Sequence, residues 1–151
     1  MLRSYQFRSR IDNLFVVAER LQDDEAKAAL SRHLCVLTSG YIEISIKEIL
    51  LDYASGKAVQ NIQVFLEASL KNITNMNTPK ICEQLARFST DWMHRFENEL
   101  SDEQKDAIDT TVRNRNLIAH GKDVGISLVQ ARTYYKKIKE VIENIRKTIE
   151  T

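Results

Sequence analysis

Residues 101–121 read SDEQKDAIDTTVRNRNLIAHG, and this stretch carries its own start and stop signals. Ser101 followed three residues later by Gln104 is a capping box, in which each side chain satisfies a backbone N–H at the helix start. Gly121 is free to take the left-handed conformation that ends a helix. Between them lie about five helical turns, with Ile108, Val112 and Ala119 on one face and Ile118 beside it. The stretch predicts a capped amphipathic helix, and it breaks its own pattern at Arg115. That arginine stands in the middle of the apolar face, three residues after Val112 and four before Ala119. A buried guanidinium without a partner costs several kcal/mol, on the order of a broken buried ion pair, so the position calls for a carboxylate, a subunit boundary or a water-filled cleft.

The same grammar extends outward in both directions. Ser127 and Gln130 repeat the capping box and launch a last helix to about Ile149, with Val129, Tyr134, Ile138, Val141, Ile142 and Ile145 largely on one side. Upstream, Phe7, Ile11, Leu14, Phe15, Val17 and Ala18 recur at helical spacing over Tyr5 to Leu21. Asp23 or Asp24 then caps a long helix running to about Tyr53, closed by Gly56. That helix carries two apolar stripes, one through Cys35, Ile42, Ile46, Ile49 and Tyr53, the other through Leu34, Leu37, Tyr41 and Ile44. So wide an apolar surface suits a central helix with several neighbours, or one that also lines a dimer interface.

A shorter helix is predicted from Val59 to about Leu70. Thr78-Pro79 reads as an N-cap followed by the first helical residue, and the helix it starts carries Ile81, Leu85 and Phe88. Ser89-Thr90 breaks that helix before a further short one. The fold class is all-α, a bundle of five or six helices with the motif helix late in the chain. At 151 residues the chain fits a single domain, 1–151.

Composition narrows the function classes. Four glycines and one proline leave few breakers, and the formal charge of +1 lacks the broad positive field of a protein that grips any nucleic acid. Cys35 and Cys82 are too few and too far apart for a disulfide framework, which favours a reducing, cytoplasmic setting. His33, His94 and His120 show no metal-ligand spacing, so no metal and no cofactor is expected. No stretch approaches the roughly 20 apolar residues of a membrane span. Trp92 is expected as a core or interface anchor, Tyr134 on the apolar stripe, and Lys136 to Lys139 on a solvated face.

Chemistry concentrates around Arg115. Arg113, Asn116 and His120 gather on the side adjoining the apolar face, at helical spacing from one another. Arg115 and His120 are roughly 140° apart on an ideal helix and meet only in a groove that embraces its edge. His120, in the last turn before Gly121, is the side chain whose ordinary titration lies nearest neutral pH, which suits proton transfer. Spacing alone is weak support, since Arg87 and His94 are also an Arg–His pair, six residues intervening.

The fuller string RNLIAHG at 115–121 resembles the signature of the HEPN superfamily, whose members carry Rx4–6H with a polar residue after the arginine. SGYIEISIKEILLDYA (39–54), the FSTDW segment (88–92) and RNLIAHGKDVGISLVQARTYY (115–135) are similar to its RiboL-PSP-HEPN branch, a likeness covering roughly residues 30 to 145. The resemblance implies an all-α homodimer whose motif helices face each other across a cleft. It implies a metal-independent endoribonuclease, toxin-like or antiphage, with RNA as substrate and an antitoxin or defence-system protein as a further partner.

Carried over, Arg115 and His120 match the two fixed positions and Asn116 the polar one, as catalytic residues. Arg113 gives an overlapping Rx6H match. Arg115 is preferred because its RN pair leads into the IAHG ending. Arg113 and Lys122 are candidate substrate contacts, and Glu43 falls where related proteins tend to carry an acid that could pair with Arg115. The alternative is a non-catalytic HEPN module that dimerises or binds a nucleotide or partner protein.

Overall fold

The computed structural model describes residues 2–150. Its elements are α1 (Leu2–Arg20), α2 (Asp24–Ala54), α3 (Gln60–Leu70), α4 (Thr78–Phe88), α5 (Thr90–Glu99), α6 (Asp102–Ala119) and α7 (Leu128–Glu150). The described residues are helical throughout, with short connections and no strand. Seven helices stand where five or six were expected. The segments read from the sequence already number seven, and the break expected at Ser89-Thr90 forms: Ser89 is extended (φ −161°, ψ 121°), closes α4 through its N–H to the Leu85 carbonyl, and caps α5 by accepting from the Trp92 N–H. One residue thus ends one helix and starts the next.

The long helix α2 is the centre, packed against α1, α6 and α7 and, at its C-terminal end, against α3. α1 runs antiparallel to it, with Ser4 near the start of α1 donating to Glu48 late in α2 (2.8 Å). α6 packs on both α2 and α7, so the helix bearing the motif is braced along its first half by two others. Both predicted stripes of α2 contribute to the core: Leu34, Cys35, Tyr41, Ile42, Ile46 and Ile49 are buried. Ser31, Cys35, Thr38 and Ser39 give that helix small side chains, and the Cys35 thiol donates to the Thr111 carbonyl of α6 at 3.6 Å. Burial pushes the Cys35 thiol up to about 11.

Several expectations move by a residue or a turn. The α7 stripe runs through Ala131, Tyr135, Ile138, Ile142, Ile145 and Ile149, so Tyr135 rather than Tyr134 is the core tyrosine. Its ring stacks on Phe15 (5.4 Å between centroids), and its hydroxyl donates to Asp12 Oδ1 at 2.7 Å. Val129, placed on the stripe by spacing, is 76% exposed, because it points away from the side on which Leu128 and Ala131 of the same turn meet the core. Val17 of α1 also faces solvent. The N-cap of α4 is Asn77, whose Oδ1 accepts from the Lys80 N–H (3.1 Å). Thr78 is helical, and its N–H donates to Asp109 Oδ1 of α6 (2.8 Å). Trp92 is a core anchor, edge-on to Tyr53 at 4.7 Å and stacked near Phe88. No described helix is long and apolar enough to cross a membrane.

Candidate functional site

The capping box at the start of α6 forms as its sequence requires. Gln104 N–H donates to Ser101 Oγ, and Ser101 N–H to Gln104 Oε1, each at 3.1 Å. The end forms too: Gly121 takes φ +72°, its N–H donates to the Ile118 carbonyl (3.0 Å), and the Lys122 N–H reaches the Leu117 carbonyl (2.9 Å). These two bonds are the Schellman arrangement. They leave His120 as the C-cap, with its N–H on the Asn116 carbonyl (3.1 Å) and its side chain exposed. The imidazole is therefore carried at a capped helix end and open to solvent.

The apolar face of α6 does not continue to that end. Ala107, Ile108, Thr111 and Val112 are buried, whereas Arg115 is half-buried and Ala119 is exposed. Full burial stops at Val112, although Ile118 still packs against the core. Arg115 thus sits where the core gives way to solvent, and its Nη1 donates to Asn116 Oδ1 at 3.2 Å. Among the described residues it forms no ion pair. Of the three environments its position called for, no carboxylate of the described residues supplies the first.

Arg113 is exposed and donates to Thr110 Oγ1 (3.3 Å). Lys122 is exposed just past the cap. With Arg115, these bring three cations to one helix end, with Asp123 nearby in sequence. Glu43 is not the intrachain partner of Arg115. Its Oε1 accepts from the Asn75 N–H at 3.1 Å and holds Asn75 in the left-handed region (φ 54°), in the connection between α3 and α4. The reason is rotational: on α2, Glu43 faces that connection rather than α6.

Leu117 was not singled out by sequence reasoning. It is 38% exposed among the polar residues of the motif, and an apolar residue on the polar side of the wheel was the available signal. Among the described residues no three His, Cys, Asp or Glu side chains gather where they could hold a metal ion.

A family model for RiboL-PSP-HEPN matches residues 5–151. The chain belongs to the RiboL-PSP-HEPN family. The match spans nearly the whole sequence, α1 included, and agrees with the all-helical fold. No curated protein and no solved structure matched the chain. The Arg115–His120 segment offers an exposed imidazole, a half-buried guanidinium joined to an amide, and an exposed leucine, Leu117.

Proposed function

We propose that this RiboL-PSP-HEPN protein is a metal-independent endoribonuclease, acting as a homodimer with its active site where two α6 ends meet, in a toxin or antiphage role. The observation that carries the reading is the state of Arg115: half-buried, without an ion pair among the described residues, and linked to Asn116 beside the exposed His120. A guanidinium in that position is available to a phosphate. The exposed Leu117 and Ala119 supply apolar surface for a second copy to cover.

RNA carries its own nucleophile. An imidazole removes the proton from a 2′-OH, the 2′-oxygen attacks the adjacent phosphorus, and the 5′-oxygen leaves with a proton from a second imidazole. One His120 does not readily perform both transfers at once, and a symmetric dimer supplies two. Arg115, through its forked donors, stabilises charge on the phosphorane-like transition state. Asn116, hydrogen-bonded to Arg115, keeps the fork oriented. Arg113 and Lys122 serve as flanking phosphate contacts. The products are a 2′,3′-cyclic phosphate and a 5′-hydroxyl.

The balanced charge of +1 favours a second reading, a non-catalytic dimerisation or binding module, or else a nuclease with a narrow, structured target. RNA cleavage in EDTA by wild type and by His120→Ala, with end-group analysis, separates the readings. Cleavage with cyclic-phosphate ends that disappears in the variant supports the nuclease. Absence of cleavage with tRNA, rRNA and single-stranded substrates supports the binding module.

A further inference from the structure

At the other end of the bundle a cleft of about 540 Å3 opens between the ends of α2 and α7 and the start of α5. It is separate from the motif: Arg146, which lines it, lies 18 residues after Leu128, about 27 Å along α7. The volume is that of a small-molecule site, and the lining has an unusual composition for a surface groove.

Arg146 is only 7% exposed. Its Nη2 donates to Ser4 Oγ (2.9 Å), and the guanidinium lies over the Tyr5 ring at 5.2 Å. Its Nε is buried without a hydrogen-bond partner, 3.8 Å from Glu143 Oε1. Glu143 is itself half-exposed and shared with Arg8, at 3.6 Å. Nη1 donates to no acceptor among the described residues. Among the described residues this buried cation faces one distant, divided carboxylate, which leaves a site that favours an anion.

The walls are aromatic. Trp92 and Tyr53 meet at 87°, and Lys57 places its ammonium 4.4 Å from the centre of the Tyr53 ring. Asp52 and Glu150, both exposed, complete the lining. A cation lies deep and carboxylates stand at the exposed side, so a polyphosphate is repelled while a singly or doubly charged group on a compact body is not.

We propose that this cleft binds a small organic anion, a carboxylate or phosphate monoester on a flat apolar body, with the anionic group on Arg146 and the body against Tyr53 and Trp92. Charge-assisted bonds from the guanidinium hold the anion, Lys57 adds a second positive charge, and the rings cover the apolar part. This goes beyond the nuclease reading and does not depend on it.

Trp92 is the only tryptophan of the chain, so its fluorescence reports the cleft directly. The full-length protein is titrated with benzoate, with phenyl phosphate and with neutral benzamide. The expected result is a saturable change with at least one anion and none with benzamide, weakened about tenfold or more in Arg146→Met that remains helical by circular dichroism. Benzoate alone assigns carboxylates, and phenyl phosphate alone assigns phosphate monoesters. If Arg146→Met does not fold, Lys57→Met at an exposed position decides, with weaker binding expected. No saturable response to either anion, equal binding of benzamide, or unchanged affinity in the deciding variant overturns the proposal.

Discussion

The Arg115 guanidinium donates to the amide oxygen of its own neighbour, Asn116, at 3.2 Å, while no carboxylate of the chain pairs with it among the described residues. Two consecutive side chains on a helix diverge by about 100°, so a bond between them bends the arginine around the helix toward the His120 side. Arg115→Ala is expected to abolish RNA cleavage, and Arg115→Lys to restore little, because a point charge lacks the fork. Asn116→Ala is expected to lower kcat while largely sparing KM. Steady-state cleavage assays on the three variants check this, and full activity in Arg115→Ala would falsify the assignment.

His120 is exposed and contributes only its backbone to the cap. His120→Ala is therefore expected to leave thermal stability within about 0.5 kcal/mol of wild type while removing activity. Denaturant unfolding run beside the cleavage assay tests the split. A large loss of stability would show the imidazole to be structural.

Gly121 stands at φ +72° with open space around its Cα. A β-carbon meets no atom there, so Gly121→Ala is expected to cost roughly 1–2 kcal/mol from backbone strain alone. Ser101→Ala at the other end of α6 is expected to cost about 1 kcal/mol by removing the cap. Only Gly121→Ala should also reduce cleavage, because it disturbs the turn that presents His120. Chemical denaturation and activity measured on both variants distinguish a general loosening of α6 from a local effect.

Leu117 leaves an apolar edge uncovered beside the motif. Light scattering is expected to give about twice the 17.5 kDa chain mass. Leu117→Asp is expected to yield a folded monomer that does not cleave RNA. A dimer that persists and stays active in this variant would move the subunit boundary away from α6.

Cys35 and Cys82 are both free, and burial, aided at Cys82 by the Glu97 carboxylate, raises each thiol to about 11. Raised values in the folded state mean that folding disfavours the thiolate. This contribution to stability is whole below the ordinary thiol value, near pH 8.5–9, and is lost as pH rises from there to about 11. At pH 8 the folded chain is expected to react with iodoacetamide about a hundredfold more slowly than the unfolded chain. Mass spectrometry of timed alkylation reads the difference.

Start and stop signals were legible because they act over one turn of chain. Asp23, Gly56, Ser89, Ser101, Gly121 and Ser127 each cap or end a helix as their side chains and spacing dictate. The one cap that moved, from Thr78 to Asn77, moved by a single residue: Asn77 Oδ1 takes the Lys80 N–H, and the Thr78 N–H goes to Asp109 of α6. The choice between Tyr134 and Tyr135 was of the same kind, decided by which side of α7 meets α1 and α2.

By itself the sequence determined the all-α class, the central role of α2, the family and the cluster of Arg115, Asn116 and His120 at one helix end. Periodicity, capping and motif spacing are local properties, and a helix expresses them wherever it packs. Only the tertiary structure decided that full burial on α6 stops at Val112, that Glu43 serves Asn75 instead of Arg115, and that a buried Arg146 lines the same cleft as Trp92. Burial and pairing depend on which helices lie against one another, and residues as distant as Ser4 and Arg146 meet only once the bundle has closed.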